Sequence, residues 1–180
     1  AFAFILSMPG APFIYYGDEI GMRYVEGLKS VEGGYNRTGS RSPMQWDDST
    51  NAGFSSAPAS DLYIAMDPDK DRPTAKKEMA APDSLYHEVK KLIRIRQSHK
   101  ALQSRGKITF VYAEKNAYPL AYIREDGDEK ILVIINAAAE AKTFACDAEP
   151  KEAIYNFGAA AEAKNGKITV PAQSAGFYRI

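Results

Sequence analysis

The residues best suited to chemistry fall in two short stretches. Gly17-Asp18-Glu19 places two adjacent carboxylates directly after the apolar run Pro12–Tyr16. In a parallel α/β barrel, functional residues gather at the C-terminal ends of the strands, which is where this pair would stand. Chain neighbours point in different directions, however, and a catalytic carboxylate pair must face across a gap of about 5–9 Å. Asp18 or Glu19 therefore also reads as a turn cap or an arginine partner. The second stretch is Arg37-Thr-Gly-Ser-Arg41-Ser-Pro-Met-Gln-Trp46-Asp47. Its arginines offer planar donor sets suited to hydroxyls or carboxylates. Trp46 offers an apolar face on which a sugar ring could lie, or an anchor for its own loop.

Other constellations carry less. Asp67-x-Asp69-x-Asp71 with Glu78 echoes a calcium-loop spacing, but Arg72 stands where such a loop needs glycine. His87 and His99 are the only histidines and are not spaced as a metal pair. Cys146, the single cysteine, has no disulfide partner in the chain and reads as a small buried thiol. Tyr112, Tyr118 and Tyr122 form either a stacking surface or part of a core. No phosphate loop or Ser/His/Asp arrangement is present, so no cofactor and no metal site are expected. With 23 basic and 23 acidic residues the net charge is zero. That balance argues against nucleic acid as partner. The apolar stretch Ala1–Leu6 is too short to span a bilayer, and a membrane role is not expected. The compartment stays open.

These residues need elements to position them. Ala1–Met8 reads as the tail of a buried helix, stopped at Pro9-Gly10. Pro12–Tyr16 has the apolar, aromatic and β-branched character of a strand buried on both faces. Gly17 to Pro82 is loop-rich, and a loop of that length is functional or partly helical. Asp83–Ser98 has helical spacing of Leu85, Val89, Leu92 and Ile93, with Ser84 able to cap it. After Lys100, short β-rich runs recur at Ile108–Ala113, Leu120–Arg124, Ile131–Asn136, Lys142–Cys146, Ala153–Phe157, Lys167–Val170 and Gly176–Ile180, parted by turn chemistry such as Asn165-Gly166. The pattern predicts an antiparallel sandwich or meander.

Gly10-Ala-Pro-Phe-Ile-Tyr-Tyr-Gly-Asp-Glu-Ile-Gly-Met22 resembles the eighth-strand motif of the alpha-amylase family, glycoside hydrolase family 13. Arg41-Ser-Pro-Met-Gln-Trp-Asp-Asp48, Ala52-Gly-Phe-Ser55, Asp67-Pro-Asp69 with Arg72-Pro-Thr74, and the helix ending Leu92–Leu102 are similar to its alpha-glucosidase, oligo-1,6-glucosidase and trehalose synthase branch. Thr38-Gly39-Ser40 departs from the Asp-Asn-Ala or Asp-Asn-Ser common there.

The resemblance implies an α+β fragment: residues 1–104 as the end of a (β/α)8 barrel, with its last strand and helix, and 105–180 as an antiparallel β-sandwich C-terminal domain. It implies a parent enzyme that hydrolyses or transfers at α-glucosidic bonds of starch- or maltose-type oligosaccharides with retention. The nucleophile, the acid/base and the stabilising Asp would lie on earlier strands, so the chain alone is expected to be inactive. Arg41, Arg37 and Asp18 are the expected substrate contacts, Arg41 foremost. A carbohydrate-binding or purely structural sandwich is the alternative. Apolar surface left open around Pro12–Tyr16 makes self-association through the barrel remnant a further expectation.

Overall fold

A computed structural model describes residues 1–180. The fold is α+β with antiparallel sheets. In chain order it comprises α1 (Phe2–Ser7), α2 (Ala75–Ala80), α3 (Leu85–Ser98) and strands β1 (Lys107–Tyr112), β2 (Leu120–Asp126), β3 (Glu129–Asn136), β4 (Lys142–Ala145), β5 (Glu152–Phe157), β6 (Glu162–Lys164), β7 (Lys167–Val170) and β8 (Ser174–Arg179). The chain divides into two compact units, one of Ala1–Phe13 with Lys91–Ile180 and the other of Ile14–Lys90.

In the first unit, β1-β2-β3-β8-β5 form a five-stranded sheet and β4-β7-β6 a three-stranded one. Residues alternate faces along a strand, and here both faces of the larger sheet are covered. Tyr122, Ile131, Val133 and Phe177 pack with Leu6 of α1, Leu92 of α3, Ala101 and Leu102. Ala121, Leu132, Ile134 and Tyr178 face Phe144, Ile168 and Val170 of the smaller sheet. That is why β3 reads as an unbroken apolar run, Ile-Leu-Val-Ile-Ile, and not as an alternation: Ile131–Ile134 are all buried. Cys146 is buried in the second core, where burial raises its thiol above the ordinary value.

Two arginines lie inside this unit. Arg96 donates to the carbonyls of Leu6 (2.9 Å), Met8 (2.8 Å) and Gly10 (2.6 Å). Arg124, fully buried, donates to those of Ser7, Gln103 (2.8 Å), Gly106 (2.9 Å) and Lys107 (3.3 Å). Together they take up the orphan carbonyls at the C-terminal end of α1, the end of a helix that favours positive charge.

The turn after α3 is fastened by Glu129. Its carboxylate meets His99 Nδ1 at 2.6 Å and accepts the Ala101 N–H at 2.9 Å. Burial alone would raise this carboxyl, but the Ala101 N–H and His99 outweigh it and hold it below the usual glutamate range. A carboxyl depressed in the folded state contributes stability above its unfolded pKa, roughly 4.3, and loses that contribution as pH falls through the folded value. Glu129→Gln is therefore expected to flatten the acid limb of the stability–pH curve below about pH 4.3. Urea midpoints measured from pH 6 to pH 3 check this: an identical slope for both proteins would refute it.

The second unit is mostly loop. Arg23 clamps it, with Nε and Nη2 on the two Asp67 oxygens (3.0 and 2.8 Å) and Nη1 on Asp69 at 2.6 Å. Arg72 Nη1 donates to the Asp67 and Asp69 carbonyls (3.3 and 3.0 Å). The calcium-like spacing thus serves two arginines. Gln45 Nε2 reaches Pro73 O at 2.9 Å, and the Ala75 and Lys76 amides bond to the Gln45 and Trp46 carbonyls (2.8 and 2.9 Å).

The helix expected over Asp83–Ser98 begins at Leu85, after a Ser84 whose Oγ accepts the His87 N–H at 3.4 Å. One expectation needs correction, and one strand is added. Pro12–Tyr16 is not a strand: it has no ladder partner, and Phe13 is 91% exposed. A strand buried on both faces requires neighbours on both edges, which this segment lacks here. β6 was not expected. It is short and exposed throughout, so no apolar alternation marks it, and its pairing with β7 follows from the left-handed Asn165-Gly166 turn.

Candidate functional site

The site begins with a tight turn. Gly17 and Gly21 flank Asp18–Ile20 in left-handed conformations (φ 88° and 73°), and Ile20 is buried beneath it. A side chain at Gly17 would also strike Met22, whose Sδ lies 2.4 Å from the position a Cβ would take. The left-handed backbone is what calls for glycine here, since the flexible Met22 side chain can shift. The turn draws both carboxylates into its own backbone. Asp18 Oδ2 accepts the Tyr15 N–H at 3.3 Å, and Glu19 Oε2 accepts the Gly17 N–H at 2.9 Å.

The Thr38–Arg41 3-10 turn carries the central arginine. Thr38 and Gly39 are buried while Arg41 reaches solvent. Ser42–Gln45 then run through the interior of the unit and deliver Trp46 back to the surface, where it is 51% exposed. A second turn sets the next wall. Asn51 and Ala52 are left-handed (φ 50° and 53°), followed by Gly53 (φ 73°). Their conformation lets the Ala52 carbonyl accept the Trp46 and Asp47 amides (2.8 and 3.2 Å). Left-handed backbone at non-glycine residues costs on the order of 1–2 kcal/mol each and marks segments the surroundings over-determine. Asp47 Oδ1 accepts the Ser49 N–H at 2.8 Å, and the Ser49 hydroxyl with that amide holds the carboxyl below its ordinary value.

These segments enclose an open groove of about 420 Å³ lined by Tyr16, Glu19, Arg41, Pro43, Met44, Trp46, Phe54, Tyr63 and Ile64. It presents one guanidinium and one carboxylate against an aromatic and aliphatic wall. Burial, then the neighbouring Tyr15 phenol group, pushes the Tyr16 phenol up, while the Arg41 charge pulls the other way. A wall of flat apolar faces with few convergent polar groups suits a ring that has an apolar face and a hydroxylated edge, which is the form of a pyranose. Acid–base cleavage of a glycoside needs two opposed carboxyl groups; the lining holds Glu19.

The structure brings together part of what the sequence singled out. Arg41 and Trp46 share the groove. Arg37 lies over the Tyr35 ring at 5.6 Å and Asp18 stays in its turn, neither on the groove wall. Tyr16, Phe54, Tyr63 and Ile64 had no chemical signal of their own, since aromatic residues in a loop read as anchors.

The Alpha-amylase family model (Alpha amylase, catalytic domain) matches residues 1–105. The chain belongs to the alpha-amylase family. It is 30% identical over 199 residues to the glucan 1,6-alpha-glucosidase of Streptococcus pneumoniae serotype 4 (strain ATCC BAA-334 / TIGR4), covering 95% of this chain and 36% of that protein. It is 32% identical over 165 residues to the oligo-1,6-glucosidase of Bacillus cereus, covering 76% and 29%. Among solved structures, trehalulose synthase MutB from Pseudomonas mesoacidophila MX-45 superposes with a TM-score of 0.81 at 27% identity, over 99% of this chain and 37% of MutB. A MutB mutant has been crystallised with the substrate sucrose. The chain spans only about 29–37% of the length of these relatives. These three relatives are named as two glucosidases and a trehalulose synthase.

Proposed function

We propose that this chain supplies the sugar-facing groove and the C-terminal sandwich of a retaining glycoside hydrolase or transglycosidase acting on α-glucosidic bonds of starch- or maltose-type oligosaccharides. In this reading residues 1–104 are the end of the (β/α)8 barrel and 105–180 the sandwich. The observation that carries it is the meeting of Arg41, Glu19, Trp46, Phe54 and Tyr63 in one groove of a chain from this family. Arg41 is the principal contact to sugar hydroxyls and Trp46 the stacking face. Arg37 and Asp18, which lie off the groove wall, are proposed as outer polar contacts of smaller effect, to a sugar that extends past the groove. The 180-residue chain binds and does not cleave, because Asp18 and Glu19 are committed to their turn.

Maltose titration by calorimetry tests the binding. Arg41→Ala is expected to weaken it about tenfold or more, the value of charge-assisted hydrogen bonds of about 1.5–3 kcal/mol. Unchanged affinity would remove Arg41 from the site. Turnover of an aryl α-glucoside by the purified chain would overturn the inactive reading.

Self-association completes the proposal. Phe13 is almost wholly exposed in a segment of strand-like composition, and a second copy covers it. Light scattering is expected to show dimers, and a strictly monomeric particle would refute this. The alternative of a carbohydrate-binding sandwich loses its main motive. Tyr122 lies in one core and Tyr112 packs on Phe144 at 5.3 Å, which leaves Tyr118 alone half exposed. A structural role for the sandwich fits these positions better.

A further inference from the structure

We propose that Tyr16 and Tyr24 are positioning residues for Arg41, acting by holding the two ends of the turn that carries it. The proposal rests on the reading of the groove as a sugar site and goes past it, because it says what sets the guanidinium in place.

The turn needs help. Thr38–Arg41 is 4 residues of 3-10 helix, and a single such turn has poor hydrogen-bond geometry and little stability of its own. Within its segment the Thr38 N–H reaches Tyr35 O at 2.9 Å, and the Ser40 N–H reaches Arg37 O at 3.2 Å. Arg41 extends from the end of this turn to solvent on a long side chain that carries about 2 kcal/mol of rotamer entropy. A shift of about 1 Å in its backbone would carry the guanidinium away from a bound ring.

Two tyrosine hydroxyls supply the hold. Before the turn, Tyr24 Oη donates to the Asn36 carbonyl at 2.9 Å. After it, Tyr16 Oη donates to the Ser42 carbonyl at 3.1 Å, and Ser42 is buried. The bracket is reinforced in the middle. The Val25 N–H bonds to Gly39 O at 3.0 Å, and the Tyr24 ring lies so close over Gly39 that a Cβ there would stand 2.6 Å from ring carbon Cζ. The Val25 carbonyl oxygen lies closer still, so Gly39 serves as the seat for both the Tyr24 ring and the Val25 backbone. Tyr16 has a second relation to the arginine: its ring lines the same groove, and its phenol lies within reach of the Arg41 charge. Both tyrosines act through backbone carbonyls, so removing the hydroxyl alone leaves ring packing in place and isolates the positioning effect.

The test uses the 15N-labelled 180-residue chain as wild type, Tyr16→Phe, Tyr24→Phe, the double Phe variant and Gly39→Ala. Arg41 is read in two ways: by backbone 15N relaxation, and by the shift of its Nε–Hε signal during maltose titration. In the wild type the Arg41 amide is expected near the rigid order parameter of about 0.85, and in the double Phe variant below about 0.6. The double variant is expected to bind maltose about fivefold more weakly, the effect of losing a net hydrogen bond of about 1 kcal/mol. Gly39→Ala is expected to mobilise Arg41 in the same way although both hydroxyls remain, because it displaces the Tyr24 ring and the Val25 carbonyl packed on the turn. Dispersed spectra with unchanged shifts in the sandwich show that each variant is folded. An Arg41 amide equally rigid in all five proteins overturns the proposal. A wild-type chain whose Arg41 signals ignore maltose overturns the sugar reading instead, and the relaxation data then still decide the positioning.

Discussion

Replacement of Arg124 by leucine is expected to lower the unfolding free energy by about 3–5 kcal/mol. Leucine fits a buried strand position, so side-chain volume is not the cause. The cause is what the guanidinium leaves behind. It donates to carbonyls of Ser7, Gln103, Gly106 and Lys107, drawn from the end of α1 and from the turn before β1. Buried carbonyls deprived of a donor cost about 1–3 kcal/mol each when water cannot replace it. Burial, then the nearby Arg96 charge, lowers the Arg124 guanidinium from its ordinary value, so the carbonyls are what offsets the loss of its hydration. Arg124→Lys is expected to restore little, since an ammonium cannot reproduce the planar fork that reaches several carbonyls at once. Urea denaturation followed by circular dichroism measures both. A loss below about 1 kcal/mol, the level of ordinary surface substitutions and single hydrogen bonds, would show that the carbonyls are served in another way.

Gly106→Ala is the second large effect, at about 2–3 kcal/mol, within the range for overpacking a closed site. A Cβ there would lie 2.1 Å from the Ala101 carbonyl oxygen and 2.8 Å from Arg124 Nη2. The first neighbour is backbone and cannot rotate away. The second is the guanidinium that the Gly106 carbonyl itself accepts from. The two substitutions therefore share a site and are not additive. In the double variant Gly106→Ala/Arg124→Leu the cost is expected to fall at least 1 kcal/mol short of the sum, because the displaced guanidinium is already gone. Additive values in the same denaturation series would mean that the alanine acts only through Ala101.

These two positions show how unevenly the fold could be read from the chain. Arg124 stands in Ala-Tyr-Ile-Arg-Glu, where an arginine on a strand ordinarily marks a solvent-facing position. It is buried because α1 and the turn around Gly106 close over that face of the sheet. Its carbonyl partners are far from it in sequence, and carbonyls carry no sequence signal. The reverse error occurred at Pro12–Tyr16. The composition is that of a buried strand, yet strand formation is a relation between chains, and composition does not reveal which neighbours are within reach.

The candidate site divides in the same way. Arg41 and Trp46 were legible because they sit in one contiguous motif whose residue types suit sugar recognition. Tyr16, Glu19, Phe54 and Tyr63 join them only through three turns, around Asp18–Ile20, Thr38–Arg41 and Thr50–Gly53, whose backbones bend back on themselves. Glycines at positive φ hint at such turns, but they do not say which wall the next side chain will join.

By itself, then, the sequence determined what is local and periodic: the α3 helix from its apolar spacing and serine cap, the β-rich runs from their composition and turns, and the family from ordered motifs. Tertiary structure alone decided that both faces of the β1-β2-β3-β8-β5 sheet are covered, that two arginines spend their donors on backbone carbonyls, and that Arg41 lies against an aromatic wall. The reason is physical. Helical spacing and strand alternation are set within a few residues of chain, whereas burial, carbonyl pairing and groove shape depend on atoms brought together from distant positions, where only the folded geometry determines which of them meet.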